Sequence, residues 1–569
     1  MRFRVLACDY DGTIAKDGVL DTPTAEALER AAASGRKLLL VTGREIDDLL
    51  KTCSRVDLFD WVVAENGALL YKPSTREEKA LGPKPPENFI TLLTRRNVGP
   101  ISVGRVIVAT WEPYETVVLE TIRELGLELQ VIFNKGAVMV LPASVNKRSG
   151  LEAALERLGL SVHNCVGVGD AENDHAFLSA CECSVAVANA LPAVKEAADW
   201  VTNDHHGGGV QELVERLLAD DLASLEPRLK RHHVPLGTDA AGESLAIAPY
   251  GRVVLVAGSS GSGKSTAATA LLEQMLERGY QVCVVDPEGD YEHVDGAVVA
   301  GSADQAPEIE QVMQILSRPQ NHAVVNLIGV PLGDRPSFFL KLLASLQELR
   351  ASVGRPHWIV LDEAHHVLDE SFEPSRLASP DALGSLVLIT IEPGRLPREL
   401  LARVDVGVFV GPQAVESLAV FAGAIGRNPP EAPEAPDQPG EVLVWNVGEG
   451  VARRVTVLPP RMARKRHRRK YARGELGPDR SFYFKGPEGK LNLRAQNLIV
   501  FNQIAEGVDD DTWLYHLRSN AYSGWIEEAI KDEELAGEVR LVEEDETLTA
   551  KQSREAIRER IEYRYTLPQ

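Results

Sequence analysis

The 569-residue sequence contains only six cysteines. That is too few to staple a chain of this length, which excludes a disulfide-framed secreted scaffold. Cys181 and Cys183 stand too close for an ordinary bridge, and no paired metal-ligand spacing accompanies them. All six read as reduced thiols of a cytoplasmic protein. No apolar run reaches the ~18 residues that a membrane span needs, so no membrane partner is expected. The N-terminal apolar stretch is short and broken by Arg2 and Arg4, so no signal peptide is expected there. Positive charge is scarce as well. A net charge of −22 argues against general coating of nucleic acid, and nucleic acid is not a favoured partner. Internal repeats are absent.

What is present is enough chain for about four domains at ~150 residues each. The apolar run Phe3 to Cys8 reads as a buried strand ending in Asp9-Tyr10-Asp11-Gly12-Thr13. A helix is expected over 22–34, with Thr22 as N-cap and Pro23 in its first turn. Further strands end in Thr42-Gly43-Arg44, in Glu65-Asn66-Gly67-Ala68 and, after Val162 to Val168, in Gly169-Asp170. Open α/β sheets place ligands at such strand ends. Between about 72 and 143 the pattern changes to an inserted α+β module.

Hydrolysis of a phosphate monoester needs a nucleophile, a proton donor and charge neutralisation. Asp9 at the strand end suits attack on phosphorus. Asp11 lies on the same side of the extended segment and can protonate the leaving oxygen, then activate water. Asp170 and Asp174 are hard oxygen ligands suited to Mg²⁺, which would bridge to Asp9 and the phosphate. Thr42 offers donors to the phosphate oxygens, and Lys147 a positive point charge.

The segments Asp9-Tyr10-Asp11-Gly12-Thr13, Val41-Thr42-Gly43-Arg44, Asn146-Lys147 and Gly169-Asp170-Ala171-Glu172-Asn173-Asp174 resemble, in order, the four motifs of the haloacid-dehalogenase (HAD) superfamily. Glu65-Asn66-Gly67-Ala68 and Ala186-Val187-Ala188-Asn189-Ala190 are similar to its Cof-type branch, with a C2-class (class IIB) cap inserted between the second and third motifs. The resemblance covers about residues 1–217. It implies Asp9 as nucleophile, Asp11 as acid/base, Lys147 as catalytic cation, and Asp9, Asp11, Asp170 and Asp174 at the metal. It also implies Thr42, Gly43 and Asn66 at the substrate phosphate. The cap would choose a small, sugar phosphate-like ester.

A charged stretch with two prolines, 218–238, reads as a linker into a second domain at 239–460. There the strand Arg252 to Ala257 runs into Gly258-Ser259-Ser260-Gly261-Ser262-Gly263-Lys264-Ser265-Thr266, which fits G-x-x-x-x-G-K-[ST] with a helix following. Gly258, Gly261, Ser262, Gly263, Lys264 and Thr266 would cradle ATP, with Ser265 on Mg²⁺. Strand Trp358 to Leu361 delivers Asp362 to the Mg²⁺ shell and Glu363 to the attacking water. With Asp286-Pro287-Glu288-Gly289-Asp290-Tyr291, these segments resemble the HerA/FtsK branch of P-loop ATPases, whose members are often ring-forming motors. The resemblance implies a homo-oligomer formed through this domain. Ile391 stands where a glutamine often follows the strand threonine, which weakens coupling to translocation. Arg395 and Arg403 are candidate arginine fingers.

Residues 461–569 begin with a basic run, Arg461 to Lys470, and continue as helices over 491–506 and 510–531. Trp513, Leu514, Leu517, Trp525 and Ile526 are their expected core, and His516 reads as packed. The expected fold class is therefore α/β. A HAD Rossmann-like parallel sheet with an inserted C2 cap is followed by a P-loop NTPase domain and a mainly helical module. The expected function is a Mg²⁺-dependent phosphatase fused to an ATP-binding and hydrolysing domain that regulates or assembles it. The rivals are a nucleic-acid end-processing phosphatase/kinase and a HerA-like DNA motor with a phosphatase head.

Overall fold

A computed structural model describes residues 1–134, 136–259, 262–368, 384–461, 476, 480–530 and 532–565. The chain divides into two compact units. One comprises Met1–Cys283, Glu308–Ala323 and Gly333–Pro460; the other comprises Val284–Pro307, Val324–Leu332 and Arg461–Gln569.

The first unit opens with an eight-stranded sheet. Its central strand, Val5–Asp9, is wholly buried and runs parallel to Lys37–Val41 on one side and Cys165–Gly169 on the other. Continuous apolar runs are what a parallel sheet covered on both faces requires. The helix Thr22–Ala33 is capped by Asp21, whose side chain accepts from the Thr24 amide; the cap lies one residue before the expected Thr22. The inserted module is a four-stranded antiparallel sheet with two helices, Glu87–Arg95 and Glu115–Glu124, and it has its own core around Phe89, Leu93, Val118 and Val138. It starts later than expected. Glu77–Ala80 still pairs with Leu69–Lys72 at the edge of the main sheet.

The expected linker 218–238 is instead packed. Leu222, Leu225 and Leu229 join the first core, and Val234–Asp239 is a strand paired with Ser244–Ile247 and Arg453–Val457. Charge and proline marked a surface, but the intervening leucines are buried. In the second sheet Val253–Gly258 lies between the parallel strands Leu386–Thr390 and Val406–Val410. Trp358–Leu361 runs parallel beyond Leu386–Thr390, and Glu441–Asn446 runs antiparallel beyond Val406–Val410.

Within this unit the two sheet systems meet through a polar knot. Glu182 is buried and takes hydrogen bonds from Arg2 (2.7 Å) and His163 Nδ1 (2.8 Å). Burial acts the other way, but the His163 hydrogen bond and the charges of His163 and Arg2 hold the Glu182 carboxyl down at about 2. His163 Nε2 donates to the carbonyl of Arg278, at the C-terminus of the helix Lys264–Glu277 (2.8 Å). His163, Glu182 and His232 have the mutual spacing of metal ligands. Their donor atoms, however, are engaged by Arg2, by Arg278 and by the carbonyl of Cys181.

In the second unit, Phe482, Phe501, Trp513, Tyr522 and Trp525 form the centre of an aromatic-rich core. The expected helices appear as Leu498–Gly507 and Asp510–Arg518, followed by Ala521–Trp525; Leu493–Ala495 is a strand instead. His516 is packed and accepts from the Lys485 amide at 3.0 Å. Residues 462–470 of the basic run lie outside the described residues.

One tight contact in the first unit fixes the frame of the site. Gly67 has φ +103°, and a Cβ there would lie 1.9 Å from the carbonyl oxygen of Asn146, the N-cap of the helix Lys147–Leu158. Gly67→Ala should cost roughly 2–4 kcal/mol of stability in urea unfolding. A loss below about 0.5 kcal/mol would show that the contact relaxes freely.

Candidate active site

Four buried charged side chains converge at the C-terminal end of the central strand. Asp9 ends that strand, and Asp170 follows the neighbouring strand Cys165–Gly169. Asp174 lies in the short turn Glu172–Asp174, and Lys147 begins the helix capped by Asn146. The Lys147 ammonium donates to Asp9 Oδ1 at 2.6 Å and to Asp174 Oδ1 at 2.5 Å. Asp174 Oδ2 accepts the backbone amides of Asp170 and Ala171, both at 2.9 Å.

The carboxylates of Asp9, Asp170 and Asp174 offer oxygens within 4.8 Å of one another. Burial and the charge of Asp174 push the Asp9 carboxyl up to about 8, against the lowering pull of Lys147. Burial works against the lysine ammonium too, but Asp174 and Asp9 outweigh it and raise its pKa. Three carboxylates facing one ammonium leave negative charge uncompensated in a low-dielectric pocket. The all-oxygen donor set and that deficit fit a hard divalent cation such as Mg²⁺.

Asp11 stands outside this carboxylate group. Its two oxygens receive Arg44 Nε (2.6 Å) and a second guanidinium nitrogen (2.7 Å). Thr42 is buried, with its hydroxyl oxygen accepting from the Arg44 amide. Asn66 Oδ1 accepts from Asn173 Nδ2 at 3.0 Å. A Cβ on Gly43 would lie 3.5 Å from Asn173 Nδ2, 3.7 Å from Met139 Sδ and 4.0 Å from Asn134 Nδ2, so the inserted sheet reaches over the Thr42-Gly43 turn.

Sequence reasoning missed Arg44 as a partner of Asp11 and missed the covering residues Asn134 and Met139. It also missed Glu65. This buried carboxylate accepts the amides of Arg105 (2.8 Å), Val106 (2.8 Å) and Ile107 (3.1 Å) and so ties the inserted module to the main sheet. The Glu-Asn-Gly turn was visible in the sequence, but its partners lie some 40 residues away.

At the second phosphate motif, Gly258 ends its strand and Gly263 (φ +93°) precedes the helix Lys264–Glu277, which carries Ser265 and Thr266 in its first turn. Gly261 lies outside the described residues. Lys264 Nζ donates to Glu363 Oε1 at 2.9 Å, and Asp362 is buried beside it in sequence. Ser262 Oγ and Glu363 Oε2 are buried without a hydrogen-bond partner among the described residues. Arg395 pairs with Glu392, and Arg403 lines a cavity shared by the two sheet systems.

Comparison with known proteins matches residues 6–106 and 118–214 to the haloacid dehalogenase-like hydrolases, and residues 249–342 to the central domain of the helicase HerA. A phosphoglycolate phosphatase of Methanothermobacter thermautotrophicus is 33% identical over 224 residues, 38% of this chain and 99% of that protein. Phosphoglycolate phosphatase 2 of Saccharolobus solfataricus is 30% identical over 221 residues, 38% of this chain and 92% of its own. A solved haloacid dehalogenase-like hydrolase from Bacteroides thetaiotaomicron aligns at 18% identity and TM-score 0.34, covering 38% of this chain and 99% of its own. Through its N-terminal part, and with a HerA-type central domain following, the chain belongs to the haloacid dehalogenase-like hydrolase family.

Proposed function

We propose that the N-terminal domain is a Mg²⁺-dependent phosphatase for a small phosphate ester of the phosphoglycolate or sugar phosphate class, and that the HerA-like domain binds and hydrolyses ATP. The observation that carries this reading is the buried group Asp9, Lys147, Asp170 and Asp174, whose three carboxylates outnumber its one ammonium. Bound Mg²⁺ would neutralise that group and draw charge from the phosphoryl oxygens. Asp9, Asp170 and Asp174 are the residues that would hold it.

Asp9 attacks phosphorus and the ester P–O bond breaks, leaving an aspartyl-phosphate. Asp11 supplies a proton to the departing oxygen, then takes one from the water that hydrolyses the intermediate. Because both Asp11 oxygens are occupied by Arg44 donors, this role requires that ion pair to open as substrate enters. Lys147 keeps Asp9 aimed and offsets its charge, and Thr42, Gly43 and Asn66 receive the phosphate oxygens. In the second domain the phosphates of ATP would take Lys264 from Glu363, freeing that carboxylate to polarise water. Residues 1–217, 239–460 and 461–569 are the corresponding phosphatase, ATPase and accessory regions, and regulation or assembly of the first by the second is the proposed reason for the fusion.

Asp9→Asn should lower phosphatase turnover on phosphoglycolate by on the order of 10³-fold or more while ATP hydrolysis continues. Lys264→Ala should do the reverse. Equal loss of both activities in either variant would sink the two-site reading.

The acid–base balance gives a second test. In metal-free protein Asp9, raised to about 8, favours its protonated form. That contribution is complete below the ordinary aspartate pKa and is lost as pH rises toward about 8. Mg²⁺ should therefore raise Tm more at about pH 8 than at about pH 5. Equal shifts at the two values would contradict a cation held at Asp9.

A further inference from the structure

Beyond its strand, the segment that carries Asp9 and Asp11 turns back on itself. The Gly12 amide donates to the carbonyl of Ala15, and the Ala15 amide to the carbonyl of Tyr10, both at 2.9 Å. The Gly12 carbonyl, one residue past Asp11, accepts two hydrogen bonds from side chains far along the chain. Asn189 Nδ2 donates to it at 2.8 Å, and His206 Nδ1 donates to it at 2.8 Å. A carbonyl only accepts, so Nδ1 carries a hydrogen whatever the charge of the ring. The two donors are also joined to each other, because the His206 amide donates to Asn189 Oδ1 at 2.7 Å. The three residues therefore close a triangle of hydrogen bonds on the turn after Asp11.

The histidine is held under strain. It begins the helix His206–Asp220 with φ +50°, a left-handed conformation that costs a residue with a Cβ roughly 1–3 kcal/mol. Its surroundings fix it there. A Cβ on Gly207 would lie 2.1 Å from Thr24 Oγ1, and one on Gly209 would lie 2.4 Å from Thr202 Oγ1. The first turn of the helix is thus wedged between two threonines. Such strain persists where neighbouring structure over-determines it, and it concentrates at functional sites.

Neither Asn189 nor His206 has a part in the chemistry described so far. The turn they grip carries Asp11, whose carboxylate has to leave Arg44 before it can serve as an acid. With Arg44 released, the aim of that carboxyl group rests on the backbone of its own turn.

We infer that His206, braced by Asn189, is a positioning residue for Asp11. Its Nδ1–H grips the Gly12 carbonyl and keeps the proton donor in place while the ion pair with Arg44 opens. The inference rests on the phosphatase reading above.

The leaving group separates aim from mere stability. Glycolate departs as a strongly basic alkoxide and needs a proton, whereas p-nitrophenolate departs without one. His206→Gly removes the imidazole and suits the left-handed backbone, so it adds no strain. It should lower kcat/KM on phosphoglycolate on the order of 10-fold, and on p-nitrophenyl phosphate by less than about threefold. His206→Asn tolerates the same backbone and places an amide N–H the same number of bonds from Cα. It should recover most of the activity on phosphoglycolate. Deuterium exchange in the unliganded full chain gives a readout that does not depend on turnover. Over residues 9–16, His206→Gly should exchange several-fold faster than wild type, and His206→Asn close to wild type. Equal losses on the two esters, no recovery in His206→Asn, or unchanged exchange over 9–16 would overturn the inference. A wild-type chain that hydrolyses neither ester would end the phosphatase reading instead, and exchange over 9–16 then decides the clamp alone.

Discussion

The buried charge group at the end of the central strand depends on one ammonium. Lys147 is buried with its nitrogen between Asp9 and Asp174, and among the described residues neither carboxylate forms an ion pair with another cation. Removing one partner from a buried pair is far more costly than the pair itself is stabilising, because it strands a charge in a medium that solvates it poorly. The surrounding structure serves to hold that ammonium still. Asn146 caps the helix that carries it, Gly67 lets the next turn pass within van der Waals range of the cap, and the Asp174 carboxylate is pinned by two amides.

The centre of the site was legible in the sequence because its residues sit at strand ends and a helix start, where local spacing determines which way they face. Asp9, Lys147, Asp170 and Asp174 needed only that each segment form its own element. Arg44 was in view as part of a strand-end motif, yet its bidentate grip on Asp11 depends on the separation of two neighbouring strands, which no local pattern encodes. The covering residues Asn134 and Met139 were illegible for another reason. Their positions depend on how the inserted sheet folds over the main one, and their residue types are ordinary for a half-buried strand. The stretch 218–238 was misread because prolines and charges outweighed leucines that pack in an irregular, non-periodic way.

The contact region between the two sheet systems of the first unit is polar where an obligate interface is usually apolar. Arg2, His163 and Glu182 form a closed network, and Arg4 caps the carbonyl end of the helix Arg335–Val353, where a positive charge is favourable. Arg355 reaches in the opposite direction to the carbonyl of Gly159. Such bonds are directional, so they specify one relative orientation more strictly than buried area alone would.

The helix Lys264–Glu277 therefore has two ends with different duties. Its first residue is the lysine of the phosphate motif, and the carbonyl just beyond its last turn is held by His163 of the phosphatase core. Fourteen helical residues span about 21 Å and do not compress. In mechanical terms the helix is a strut, clamped at one end and touching the glycine-rich loop at the other. A displacement of that loop along the strut axis cannot be absorbed within it. The Arg278 carbonyl at the far end would pass it to the histidine, two residues before the strand that leads to Asp170.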